Sequence, residues 1–160
     1  MQLLVALTLI CLANSAQAQR NYNTSIGLRL GYTSGLTVKG FINDKIALEG
    51  IVSTRLWGSR GWGANTLLLT GLIEWNFPIR GVQGLNWLVG GGLHIGFYND
   101  QYNNQGSGGT YVGLDFIGGL EYTLPTAPFT FQLDLKPAIH VLGNSDFWYG
   151  DFAISVRYAF

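Results

Sequence analysis

Few residues in this chain have the chemistry to act on a substrate. There are two histidines, His94 and His140, and one cysteine, Cys11. His94, Asp115 and Lys136 lie on one face of successive segments (below), so a transverse row of imidazole, carboxylate and ammonium is expected. Such a row in a narrow interior is read as a structural plug, because an unpaired buried ion is costly. His140, Ser145, Tyr149 and Asp151 cluster near one end of the last hairpin, and His140 oriented by Asp151 would fit the logic of a hydrolase base. No motif fixes Ser145, so a capped rim histidine is the simpler account. Two histidines with no cysteine beyond Cys11 give no metal-ligand spacing. Gly90-Gly91-Gly92 lies inside a segment with no helix pattern after it, so it marks curvature, not a phosphate cradle. No metal and no cofactor is expected.

The elements that position these residues are strands. From Trp148 to Phe160 the alternation is strict: Phe160, Tyr158, Val156, Ile154, Phe152, Gly150 and Trp148 share one face, while Arg157 and Asp151 lie on the other. No helix gives period two. The same rule recurs in seven earlier segments: 26–32, 36–39, 46–55, 66–77, 85–98, 111–122 and 129–141. Turns are expected at Thr33-Ser34-Gly35, 42–44, 78–84 and 123–128. Loops are expected at 57–63, with Trp57, Arg60 and Trp62, and at 99–109, the longest. Pro137 cannot donate to a ladder, so a bulge is expected near the end of the seventh strand.

Charge decides the environment. Arg29, Lys39, Glu49, Arg55, Glu74, Asp115, Glu121, Asp134, Lys136, Asp151 and Arg157 all fall on the face opposite the apolar one, and both histidines join them. The apolar face holds no charge but much of the aromatic bulk. Charged residues are 11% of the chain, against a usual share of about 25%, so a wet exterior would be poorly supplied. A lipid environment enforces this sorting, since Arg or Lys facing lipid at the midplane costs about 2–4 kcal/mol. Nine basic residues balance nine acidic ones, which gives no basis for nucleic-acid binding.

The apolar run Leu3 to Ala13, followed by Ala16-Gln17-Ala18, reads as a signal peptide over 1–18. It is shorter than the roughly 17–25 residues of a spanning helix. The remaining 19–160 is expected to be one domain: an all-β, eight-stranded, antiparallel up-and-down transmembrane β-barrel with a filled polar lumen. Eight strands leave an interior just wide enough for side chains. The luminal set is Arg29, Lys39, Glu49, Arg55, Glu74, His94, Asp115, Glu121, Asp134, Lys136, Asp151 and Arg157. Trp75, Trp87, Phe129, Trp148, Tyr158 and Phe160 are expected in aromatic girdles at the two membrane interfaces.

In strand pattern, alternation of short turns with longer loops, leader and terminal Tyr158-Ala159-Phe160, the chain resembles the small eight-stranded outer-membrane barrels of the OmpA and OmpX type. The resemblance implies an outer-membrane location and contact with lipid. It also implies handling by periplasmic chaperones and by the barrel-assembly machinery, with Tyr158 and Phe160 as the assembly signal. A monomeric barrel of structural or surface type, without enzyme activity, is the leading expectation. Ligand binding or adhesion through loops 57–63 and 99–109, a hydrolase, and a narrow pore stay open beside it.

Overall fold

The computed structural model describes residues 22–55, 66–100, 107–142 and 147–160. Eight strands follow one another: β1 (Thr24–Gly31), β2 (Thr33–Phe41), β3 (Ile46–Arg55), β4 (Thr66–Pro78), β5 (Leu85–Asp100), β6 (Ser107–Thr123), β7 (Phe129–Leu142) and β8 (Phe147–Ala159). Each pairs antiparallel with its neighbour, and β8 returns to β1, with Ser25 opposite Ala159 and Gly31 opposite Ala153. Closure removes both sheet edges. The seam is fastened at its base by reciprocal backbone bonds between Thr24 and Phe160, at 3.2 and 2.8 Å.

One end of the barrel is made by three tight turns. At the first, Asn43 Oδ1 accepts from the backbone N–H groups of Lys45 and Ile46 at 2.9 and 2.8 Å, an Asx-type closure. The second uses Gly81 and Gly84, at φ of 97° and 84°, where a side chain would be strained. The third spans 124–128. At the opposite end lie the described strand ends Arg55, Thr66, Asp100, Ser107, Leu142 and Phe147. The loop residues Trp57, Arg60, Trp62 and Ser145 lie outside the described residues, as do the leader 1–18 and Cys11.

Three boundaries differ from the sequence reading. Thr33-Ser34-Gly35 is the start of β2, not a turn; Gly35 pairs with Arg29 and Thr33 with Arg55. The chain reverses at Tyr32 instead, and Ser34 Oγ bridges the N–H and C=O of Gly31, both at 3.1 Å. The expected loop at 99–109 is ladder at both ends, because β5 and β6 continue to the pair Asp100–Ser107. Its polar residues hid this, since alternation is legible only where one face is apolar. The third difference is at Pro137. The β7–β8 register shifts between Lys136 and Ala138, as expected, but the extra residue lies on β8, between Asp151 and Trp148. Consequently Phe147, not Trp148, pairs with the outward Ile139. The side chain of Trp148 lies outside the described set.

The faces follow the alternation. Outward positions such as Leu28, Leu48, Ile73, Phe116, Leu135 and Ile154 are exposed, whereas Arg29, Lys39, Glu49, Glu74 and Arg157 are fully or almost fully buried. The protein is apolar outside and charged inside. The lumen also has an apolar sector the charge pattern does not announce: Ile51, Leu72, Leu88 and Ile117 form one buried cluster on β3 to β6. Gly90 makes room there, since a Cβ would sit 3.0 Å from the Ile117 side chain.

Candidate functional site

The lumen is the place where this sequence concentrates ionisable groups. Near the turn end and middle, five charged side chains interlock. Arg157 donates to Glu49 and Glu121 at 2.7 and 2.8 Å, and also to Gln132. Lys39 Nζ lies 2.7 Å from Glu74 and 2.8 Å from Glu121, and it donates to Asn76 at 3.2 Å. Thr37 donates to Glu49. One level towards the loops, Arg29 forms a bidentate pair with Asp134, both contacts 2.7 Å, and reaches Asp151 at 3.4 Å. Asp151 also accepts from the Thr33 backbone and hydroxyl. Gln132 donates to Asp134 at 3.0 Å. Each carboxylate is met by a cation because removing these ions from water is repaid only by close pairing.

Tyr22 completes the turn end. It precedes β1, is buried, and donates to Glu121 at 2.9 Å while packing edge-on against Phe41 at 5.3 Å. Burial first, and the Glu121 carboxylate second, push its hydroxyl well above the ordinary range, so it remains a donor. The sequence reading left it in a polar lead. The available signal was a lone aromatic ring between Asn21 and Asn23.

At the loop end the polar residues gather differently. His94, Asp115 and Lys136 do meet: Asp115 Oδ2 is 2.6 Å from His94 Nδ1 and Oδ1 accepts from Lys136 at 2.8 Å. They do not form the expected straight row. His94 stands opposite Gly113, Asp115 opposite Gly92 and Ala138, so both contacts are diagonals across the ladder. Tyr98 and Tyr111 are likewise offset, Tyr98 opposite Gly109 and Tyr111 opposite Gly96. A Cβ on Gly113 would fall 2.5 Å from the His94 ring, and one on Gly96 2.1 Å from the Tyr111 ring. These glycines are seats for the rings across from them.

His140 joins this group. Its ring centroid lies 4.9 Å from that of Tyr111 and 5.2 Å from that of His94. Asp151, its expected orienting partner, is bound instead to Thr33 and Arg29. Ser145 lies outside the described residues, and so does the Tyr149 side chain. Arg55 is half-buried and stacks over Tyr32, 5.3 Å from its centroid.

Outside, the aromatics gather at the turn end. Phe77 stacks on Trp87 at 4.5 Å and Phe129 meets Tyr158 edge-on at 5.6 Å. Trp75 and Trp87 are each 43% exposed, and Phe160 is 49% exposed.

No protein-family model and no curated protein matches the chain. Two solved structures are similar in fold. The N-terminal β-barrel domain of Pseudomonas aeruginosa OprF aligns with a TM-score of 0.66 at 16% identity, over 87% of this chain and 98% of that one. Neisserial surface protein A aligns with a TM-score of 0.60 at 12% identity, over 86% and 93%. The chain has the fold of the small eight-stranded outer-membrane barrels.

Proposed function

We propose that this chain is an integral outer-membrane β-barrel of structural or surface type, with a lumen plugged by its own ion pairs. A single observation supports this most directly. In a closed barrel, every described strand places aliphatic and aromatic side chains outside, and the buried charges of the strands lie inside, the reverse of a water-soluble barrel. Closure leaves no unpaired sheet edge to face lipid. The aromatic pairs beside the tight turns fit an interfacial girdle, with Trp75, Trp87, Phe129, Tyr158 and Phe160 on the side of the chain termini. That side is the periplasmic one in this reading. The leader 1–18 directs export, and Tyr158 with Phe160, where the seam closes, serves as the address read by the assembly machinery. The folded form works as a monomer in lipid.

The interlocked centre argues against a diffusion pore, since Arg157, Lys39, Glu49, Glu74 and Glu121 cross the lumen. Heat-modifiable migration of outer-membrane fractions tests the barrel and its location. Recovery of the chain in the soluble fraction would sink the reading. The purified barrel in a planar bilayer is expected to give no steady conductance, and open channels would replace the plug with a pore. Refolded protein is expected to show no esterase, deacylase or protease activity.

A further inference from the structure

We propose that the loop end of the lumen holds a binding site for a divalent late transition-metal ion, ligated by His94 and His140. The argument begins with His94. Asp115, held as a carboxylate by Lys136 on its other oxygen, can only accept. The His94 ring therefore carries a proton on Nδ1, and in the neutral ring the lone pair is on Nε2. That Nε2 is buried and has no hydrogen-bond partner, in a residue 3% exposed. A buried acceptor without a partner is unusual and calls for an explanation. A carboxylate on the far nitrogen of an imidazole is the arrangement that fixes metal-ligating histidines elsewhere.

The second ligand faces it across a glycine. His94, Gly113 and His140 occupy one row of β5, β6 and β7. Gly113 has no side chain to separate the rings, which stand 5.2 Å apart at 77°. Two imidazoles sharing one tetrahedral ion, with metal–nitrogen bonds of about 2.0–2.1 Å, have centroids about 5 Å apart. The ladder is irregular on both sides of His140. The β6–β7 register shifts beside Gly113, and the β7–β8 register shifts at Lys136–Ala138. These are the two shifts among the described residues, and bulges of this kind re-aim side chains next to functional sites. A small cavity with room for a water-sized occupant lies against His94, His140 and Tyr111, with Thr33, Thr66 and Arg55 around it.

Arg55 selects the class of ion. Its charge opposes any cation, so Mg2+ or Ca2+, held by oxygen and charge alone, do not fit. Zn2+, Ni2+ and Cu2+ gain enough from two imidazole nitrogens to bind, with Tyr111 and water to fill the remaining positions.

The test uses the tag-free chain carrying Cys11→Ser, folded in detergent micelles and checked by heat-modifiable migration. Zn2+ is titrated by calorimetry, and Cu2+ is followed by electron paramagnetic resonance. One Zn2+ per barrel is expected, with two-nitrogen hyperfine coupling for Cu2+. H94Q and H140Q should each abolish saturable Zn2+ binding and reduce the coupling to one nitrogen. D115N should weaken Zn2+ by about 10–100-fold, and R55Q should tighten it. If H94Q fails to fold, H140Q alters a half-buried residue at the mouth and keeps the test open. Equal Zn2+ affinity in native and H140Q barrels would overturn the proposal. So would binding of chloride or phosphate, but not Zn2+, that R55Q abolishes, which would make the cavity an anion site.

Discussion

The two ends of this lumen handle buried polarity in different ways. In the centre, each cation is gripped by more than one partner: Arg157 by Glu49, Glu121 and Gln132, and Lys39 by Glu74, Glu121 and Asn76. Atoms without partners do occur there, among them the Ser53 and Ser155 hydroxyls as well as Arg157 Nε and Glu74 Oε1, but Arg157 and Glu74 have their other atoms in ion pairs. At the loop end, His94 uses one nitrogen on Asp115 and keeps the other open. Around it are rings, glycine seats and a cavity in place of crossed ion pairs. A network with redundant partners resists change and fits a plug. A histidine held by one nitrogen is fixed in place with its other nitrogen left over for something else.

Breaking the centre should cost most. Arg157→Ala strands Glu49 and leaves Glu121 with Lys39 as its cation, and loss of one partner of a buried pair typically costs about 3–5 kcal/mol. A large fall in the urea midpoint of the folded, heat-modifiable band is expected, and an unchanged midpoint would mean the centre is not the plug. Asp115→Ala comes next. It removes the acceptor of both His94 and Lys136 and should lower stability by about 1–3 kcal/mol. Thermal stability equal to that of the native barrel would show that the loop end is held by something other than this contact. Gly113→Ala should cost a comparable or smaller amount, about 1–3 kcal/mol. The added methyl meets the His94 ring at 2.5 Å and the Ile139 carbonyl at 2.5 Å. If Gly113→Ala were silent while Asp115→Ala was not, the rings would have to move freely over β6.

The smallest expected effect is at the turn end. Tyr22→Phe keeps the packing on Phe41 and deletes one donor to Glu121, which Lys39 and Arg157 still hold. A loss of about 1 kcal/mol is expected, read from the same urea midpoint. A loss as large as that of Arg157→Ala would show that the segment before β1, and not the ion pairs, closes that end.

Much of this was readable along the chain. Period two assigns each strand residue to a face, so the sequence alone places Arg29, Glu49 and Arg157 inward. The tight turns were legible for the same reason, as alternation stops there and Asn43 or glycine takes over. The loop-end part of the β5–β6 hairpin was not, because Asn99, Asp100, Ser107 and Gly108 offer no apolar face to count. Tyr22 was missed because a single buried ring has no period. The catalytic grouping of His140 with Asp151 came from nearness along one hairpin, whereas Asp151 reaches sideways to β1 and β2.

The sequence by itself determined the faces, the strand number and the sign of the barrel, apolar outward and charged inward. Those follow from local geometry, since successive side chains of a strand point to opposite sides whatever it pairs with. It did not determine which luminal residues meet. That depends on how far each strand is staggered against the next, and closing eight strands imposes a shared tilt and stagger that no single hairpin contains. Two-residue offsets between β5 and β6 and between β6 and β7 turned the expected row of His94, Asp115 and Lys136 into diagonals, and the first set Gly113 opposite His94. The unbroken β6–β7 register then brought His140, far away in the chain, to the other side of that glycine, one pair before the ladder shifts at Val112. The tertiary structure alone decided that two histidines with no ligand spacing share one small space.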